Sequence, residues 1–359
     1  MKSVLILESK YHHARANIID EKLHFPNCKL TYGGLFFYKN KPDFFTQFDL
    51  VVSTVSTSNT ADHIISKCRK KGVPTLLLCD GIIEWENLYS NRFVIKRGTN
   101  LYDNIYHEYF GVMGKLESKY FSIHSDVTAI HFTPARALKM NIAITSNKNM
   151  FLLTTANRPY FNEGEKARCT KLMLSIQRSL IDSGIQYKVR IFDSYLLGEL
   201  AKVDETLLND VDSSFDECLH EVSALITTPS TIVFNAMQEN IPVCQLQYRN
   251  SPTFVQTGWV ANESVDLNET LLSMISPKKE RMDFQKTVLS EHYSESTVIS
   301  EISKNNVQLS DKKVVHHVDL KGPLVINLEP IARLLDDVMK IYGPKFILAK
   351  WKKIISKYR

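Results

Sequence analysis

Residues 224–243 read Ala-Leu-Ile-Thr-Thr-Pro-Ser-Thr-Ile-Val-Phe-Asn-Ala-Met-Gln-Glu-Asn-Ile-Pro-Val. The spacing predicts a buried strand over 224–226, a helix over 230–239 and a second buried strand over 243–246. A strand that ends in small hydroxyl residues and passes at once into a helix is the joint of a parallel α/β layer. The start of such a helix carries unpaired N–H groups and the positive end of the helix dipole, and Ser and Thr add hydroxyl donors. That suits a mono- or diphosphate, and equally a plain helix cap without ligand.

The same alternation runs outward in both directions. Residues 150–154 and 187–192 read as strands, 163–183 as a long helix ending at Gly184, and 215–222 as a helix. Earlier in the chain 3–7, 50–53, 73–79 and 129–133 read as strands. Residues 8–15 read as a polar loop. Ala61, Ile64, Ile65 and Cys68 mark a helix over 58–71 that stops at Gly72. Two such series predict an α/β protein of two Rossmann-like domains facing across a cleft, 1–147 and 148–320, followed by a helical segment, 321–359. Ligands of such sheets bind at the carboxyl ends of the strands.

Composition narrows the function classes. The 359 residues are 44% hydrophobic and 23% charged, enough apolar residue to build real cores. No stretch approaches the roughly 18–20 apolar residues that span a bilayer. Cysteines 28, 68, 79, 169, 218 and 244 are scattered without a C-x-x-C pair, which reads as a reducing, cytoplasmic chain with neither disulfides nor a zinc site. The net charge is +5. Seven of the 44 basic residues and none of the 39 acidic ones lie in 340–359, which leaves the other 339 residues at −2. In this tail Ile347, Leu348, Trp351, Ile354, Ile355 and Tyr358 share one helical face and the lysines lie mainly on the other. A basic amphipathic helix of this kind fits an anionic membrane surface, or packs its apolar face on the protein. No nucleic-acid signature accompanies it.

Several motifs fail. No G-x-G-x-x-G follows the first strand, and no G-x-S-x-G elbow occurs. Gly114-Lys115 lacks the P-loop pattern, with Tyr109 and Leu116 where Gly and Ser or Thr belong. Asp210-Val211-Asp212 reads as a solvated loop or helix cap, and the adjacent pairs His12-His13 and His316-His317 make no natural metal site. Other strand ends carry usable chemistry. Asp80 follows an apolar strand and precedes Gly81, so its carboxylate can act as base, nucleophile or hydroxyl acceptor, or close a plain Asp-Gly turn. Glu84 is a second carboxylate four residues on, or a simple helix-start residue. In 152–161, Thr155 and Asn157 can bond phosphate or sugar, and Arg158 can pair with phosphate or carboxylate. Arg190 and Asp193 flank the next strand end, and His131 and Arg136 lie near the domain boundary. Lys10, His12, His13 and Arg15 form a basic stretch suited to an anionic glycan or sugar acid, with Ser56 in the loop after the second strand.

Ser230, Thr231, Ala236, Pro242 and Val243 are similar to the donor-binding segment of GT-B glycosyltransferases. Asn235 stands where that family usually has a Glu that binds ribose. The strand followed by Asp80-Gly81 and two apolar residues resembles a segment of bacterial retaining β-Kdo transferases of capsule and lipopolysaccharide glycans, in which the Asp is the nucleophile. The resemblance implies a GT-B fold and a metal-independent transferase with a CMP-sugar donor, CMP-Kdo (Kdo is 3-deoxy-manno-octulosonic acid), and no other cofactor. Carried over, it implies Asp80 and Glu84 as catalytic residues. Thr155, Asn157, Arg158, Arg190, Thr228, Ser230, Thr231 and Asn235 fall on the donor side. Lys10, His12, His13, Arg15 and Ser56 fall on the acceptor or sugar-carboxylate side. The expected partners are a glycan or glycolipid acceptor and, through 340–359, the inner face of the bacterial cytoplasmic membrane. A transferase for another nucleotide sugar, a nucleotide-sugar epimerase and a non-catalytic glycan-assembly module are the alternatives.

Overall fold

The computed structural model describes residues 1–91, 95, 100–102, 105–138, 150–293, 296–304 and 323–343. The basic stretch 344–359, with the amphipathic helix expected there, and the pair His316-His317 lie outside the described residues. In chain order the elements begin with β1 (Lys2–Ile6), α1 (Lys10–Ala16), α2 (Glu21–His24), β2 (Cys28–Thr31), β3 (Leu50–Ser53) and α3 (Asn59–Arg69). Next come β4 (Thr75–Leu78), α4 (Trp85–Tyr89), β5 (Tyr109–Val112), α5 (Lys115–His124) and β6 (Thr128–His131). Then follow β7 (Met150–Thr154), α6 (Glu163–Asp182), β8 (Gln186–Arg190), α7 (Ser194–Ala201), α8 (Phe215–His220), β9 (Ala224–Thr227), α9 (Ile232–Gln238), β10 (Val243–Leu246) and β11 (Trp259–Ala261). The chain closes with α10 (Leu267–Ile275), α11 (Lys279–His292), α12 (Val298–Lys304) and α13 (Pro323–Tyr342).

The elements fall into two compact units. One comprises Met1–Asp80, Phe93–Arg136 and Ser294–Arg359, the other Gly81–Arg92 and Ala137–Tyr293. The first holds a six-stranded sheet in the order β2-β1-β3-β4-β5-β6, the second a five-stranded sheet in the order β11-β10-β9-β7-β8. Every strand pair is parallel. The continuous apolar runs explain this: Leu76, Leu77 and Leu78, like Phe151, Leu152 and Leu153, are buried on both faces of their strands. The second core packs Phe151, Leu153 and Trp259 against Leu172, Met173 and Ile176 of α6. The first packs Leu5, Val51 and Phe45 against Ile64 and Ile65 of α3. Each order reverses once, between β1 and β3 in the first unit and between β7 and β9 in the second. In sheets of this kind ligands bind beside such reversals, at the carboxyl ends of the strands.

Some local expectations change. Residues 8–15, expected as a polar loop, contain α1, capped by the Ser9 hydroxyl on the His12 N–H at 3.0 Å and closed by Asn17 in the left-handed conformation. Only His13 of this short helix is buried, so no apolar period announced it. Strands β2, β5 and β11 were not expected: β2 has no buried residue, β5 contains Gly111, and β11 has only three residues. All six cysteines are free thiols, five of them buried. No helix of the described residues is long and apolar enough to cross a membrane.

Gly111 sits where β5 passes between β4 and β6. A Cβ there would lie 2.6 Å from Leu78 Cδ2 and 3.1 Å from Phe132 Cβ. We expect Gly111→Ala to cost about 1–3 kcal/mol through overpacking, read as a lower urea midpoint with an unchanged m-value.

Candidate functional site

In the second unit, threonines tie the strand ends together. Thr154 Oγ1 donates to the Arg190 carbonyl at 2.7 Å, joining β7 to β8. The Ala156 N–H donates to Thr228 Oγ1 at 2.7 Å, bridging β7 and β9 across the reversal. Thr227 Oγ1 donates to the Thr228 carbonyl at 3.0 Å. Between them Thr155 is 4% exposed, and its hydroxyl has no hydrogen-bond partner among the described residues. A buried hydroxyl without a partner is costly and points to a group that completes it.

The expected donor residues gather in part around this point. Thr155, Asn157 and Arg158 lie in the loop after β7, the last two exposed. Thr228, Ser230 and Thr231 lie in the loop after β9. Thr231 stands at the start of α9 in helical conformation, so its side chain does not cap the helix. The hydroxyl instead accepts the Ile82 N–H at 3.2 Å. Val233 and Phe234 send their N–H groups to the Ser230 and Thr231 carbonyls, both at 3.2 Å. Asn235 is buried within α9. Arg190 at the end of β8 donates to the Asp210 carbonyl at 2.6 Å and covers the Phe192 ring. Asp193 caps α7 through the Leu196 N–H. The Asp210 carboxylate of the D-x-D triplet holds Lys188 at 3.2 Å and accepts from the Ser213 N–H.

The two expected catalytic carboxylates meet different surroundings. Asp80 belongs to the first unit and Glu84 to the second. The Asp80 side chain is 65% exposed, with Arg136 Nη2 3.6 Å from its Oδ2. Glu84 is buried, pairs with Thr253 as an isolated antiparallel bridge, and receives Arg249 Nη1 at 3.2 Å. Arg249 Nε also lies 3.6 Å from Glu165 Oε2. Burial pushes the Glu84 carboxyl up to about 7, against the lowering effect of Arg249. Neither Arg249 nor Glu165 emerged from the sequence. The one available signal was Arg249's position three residues past a fully buried strand.

In the first unit, the reversal between β1 and β3 carries a polar cluster. The buried Glu8 accepts the Thr54 N–H at 3.1 Å through one oxygen, the other has no partner among the described residues, and burial raises its pKa. Thr54 Oγ1 lies 3.2 Å from His12 Nε2. Asp337 of α13 accepts from Ser9 Oγ at 3.0 Å and Arg15 Nη2 at 3.1 Å, and lies 3.6 Å from His12 Nδ1. His12 and Arg15 therefore converge, on a helix rather than the expected loop. His13 turns inward against Tyr32, and burial lowers its pKa to about 3. Lys10 is exposed on α1, and Ser56 is half-buried after β3. Among the described residues no group of three or more His, Cys, Asp or Glu is arranged to hold a metal ion.

No family model and no curated protein matches the chain. Solved structures do. A Staphylococcus aureus MnaA–UDP co-structure aligns at a TM-score of 0.51 and 11% identity, over 85% of this chain and 95% of its own. UDP-GlcNAc 2-epimerase from Neisseria meningitidis, bound to UDP-GlcNAc, aligns at 0.51 and 11%, over 85% and 100%. A mutant of S. aureus TarM, in complex with fondaparinux, α-GlcNAc-glycerol and UDP, aligns at 0.50 and 9%, over 75% of this chain and 57% of that one. The likeness is one of fold: two parallel sheets with interleaved helices, the α/β architecture of GT-B proteins.

A raised carboxyl pKa makes stability depend on pH. Between 4.5 and about 7 the folded state keeps a proton on Glu84 that the unfolded chain releases. The stabilisation is full below 4.5 and lost as pH rises through about 7. We expect Glu84→Gln to remove on the order of 3 kcal/mol of the stability difference between acid and alkaline conditions, measured by urea unfolding across this range.

Proposed function

We propose that the chain is a nucleotide-sugar glycosyltransferase that moves Kdo from CMP-β-Kdo to a bacterial surface glycan or glycolipid with retained configuration. The observation that carries the nucleotide reading is the β7–β9 reversal, where the partnerless Thr155 hydroxyl sits between two threonine-bridged loops. Hydroxyls and backbone N–H groups there suit phosphate oxygens, and the exposed Arg158 adds a cation for a phosphate or for the sugar carboxylate. The GT-B fold supports the same class of ligand.

In this reading the Asp80 carboxylate attacks the anomeric carbon of the donor. The bond to the CMP oxygen breaks, and CMP leaves with the electron pair. An acceptor hydroxyl then displaces Asp80 from the opposite face and gives its proton to a base, so two inversions retain configuration. The 65% exposure of Asp80 leaves it accessible, with the Arg136 guanidinium 3.6 Å away as a nearby positive charge. Glu84 serves this proposal less directly, since its charge is engaged by Arg249. The acceptor side is the first unit, where His12 and Arg15 converge.

A second reading, a nucleotide-sugar epimerase, is favoured by the fold likeness to the UDP-GlcNAc 2-epimerase bound to UDP-GlcNAc. Incubation with CMP-Kdo separates the two. The transferase reading expects CMP release and an intact-mass adduct of one Kdo, absent in Asp80→Asn. Interconversion of free UDP-GlcNAc without acceptor, and no response to CMP-Kdo, would establish the epimerase instead. An adduct on another residue would overturn the role of Asp80 alone.

The reading places the chain on the cytoplasmic side, held peripherally to an anionic membrane through 340–359. Lys340 ion-pairs with Asp336 on α13, and six further cations follow in the sequence of 345–359. The full chain is expected to cosediment with phosphatidylglycerol vesicles, to lose this at high salt or with neutral lipid, and to lose it on deletion of 344–359. Unchanged cosedimentation would move the contact elsewhere.

A further inference from the structure

The second unit contains a piece of chain that sequence order assigns to the first. Gly81–Arg92 directly follows Asp80 yet packs with Ala137–Tyr293. This strap is held at several points. Ile82 N–H donates to Thr231 Oγ1, and Glu84 bridges to Thr253. The Trp85 ring stacks on Phe254, with centroids 5.3 Å apart and planes at 22°, and on Tyr89 at 5.6 Å and 14°.

Arg249 is the centre of this attachment. Its side chain is 4% exposed. Nη1 reaches Glu84 of the strap at 3.2 Å, and Nη2 donates to the Pro159 carbonyl at 3.2 Å. The guanidinium lies over the Phe161 and Tyr248 rings at 5.3 and 5.2 Å. Pro159 and Phe161 continue the loop that carries Thr155, Asn157 and Arg158. One planar cation thus joins the loop after β7, the loop after β10 and the strap. Glu84 and Glu165 face it, and Glu86 contacts Glu165. A buried ion pair adds little net stability over packed apolar groups, but it demands one geometry.

We propose that Arg249 is a positioning residue for the nucleotide. It clamps the loop after β7 and the strap in a single arrangement, and the strap in turn holds the Thr231 hydroxyl in the loop after β9. This rests on the nucleotide reading of the second unit. Arg249 itself bonds protein groups and acts through the loops it holds.

The test uses the full chain with Arg249→Met, Arg249→Lys, Glu84→Gln and Thr231→Val. Calorimetric titration with CMP and with UDP is combined with hydrogen exchange. Arg249→Met is expected to weaken nucleotide binding about tenfold or more. Exchange should quicken in 81–91, 155–161 and 228–234 and stay unchanged in β8 and α10. Arg249→Lys should recover part of the affinity, and Glu84→Gln should show the same pattern in milder form. On the Thr231→Val background the Arg249 effect should shrink, because part of the path is already cut. If Arg249→Met fails to fold, Arg249→Lys and Glu84→Gln carry the same comparison. Unchanged affinity and unchanged exchange in 228–234 would overturn the proposal, as would exchange that rises evenly throughout the unit. If the wild-type chain binds neither nucleotide, the nucleotide reading fails. The clamp is then decided by exchange alone: it stands if loosening 81–91 also loosens 228–234, and falls if it does not.

Discussion

A parallel strand covered on both faces has no place for a polar side chain except at its ends. That constraint shapes both units. Leu76–Leu78 of β4, Phe151–Leu153 of β7 and Leu225–Ile226 of β9 are almost wholly buried, so their hydroxyls, amides and charges collect where the strands stop. At those stops the backbone leaves the sheet and its N–H groups need new partners. In the second unit the Thr228 hydroxyl meets that need by accepting the Ala156 N–H across the reversal, while the Thr154 hydroxyl donates to the Arg190 carbonyl of the neighbouring strand. The first unit uses a carboxylate instead: Glu8 takes the Thr54 N–H between β1 and β3. In both sheets one polar atom at the reversal has no partner among the described residues, Thr155 Oγ1 in one and Glu8 Oε2 in the other. Each of these two atoms lies at a position where α/β sheets take ligands.

The buried charges follow a second logic. Arg249, Glu84 and Glu165 are almost wholly withdrawn from water and join segments far apart in the chain. Desolvation offsets most of their Coulombic attraction. What they add is selectivity, since a shifted loop would leave a charge buried and unpaired. Asp80 differs from all of them. It is exposed, and its nearest cation, Arg136, sits at 3.6 Å, outside hydrogen-bond range. The Asp80 carboxylate is open to water, whereas that of Glu84 is buried.

Much of the architecture was legible in the chain. The hydroxyl-rich joint at 227–231, the apolar run before Asp80 and the alternation of short strands with helices define parallel α/β layers, because burial on both faces requires uninterrupted apolar strands. The stop signals at Gly72 and Gly184 were equally plain, both lying in the left-handed region that ends the preceding helix. Strands β2, β5 and β11 were not legible: β2 carries Lys29 and Thr31 and has no buried residue, β5 is interrupted by Gly111, and the three residues of β11 form no run. Helix α1 was hidden because its sequence, KYHHARA, has no large aliphatic residue, and its single inward residue is a histidine.

What residue type and spacing determined was therefore which segments become strands and helices, and that their ends carry hydroxyls and charges. Local pattern is enough for that, because burial acts on each segment in turn. Only the tertiary structure decided how those ends are used. It turned Glu84 into the partner of Arg249, 165 residues away in the chain, and turned the Thr231 hydroxyl from a helix cap into the acceptor of the Ile82 N–H. It brought Asp337 to Ser9 and Arg15 across more than 320 residues. No local period encodes such pairings. They exist because a charge or hydroxyl withdrawn from water must find a partner wherever the packed chain supplies one.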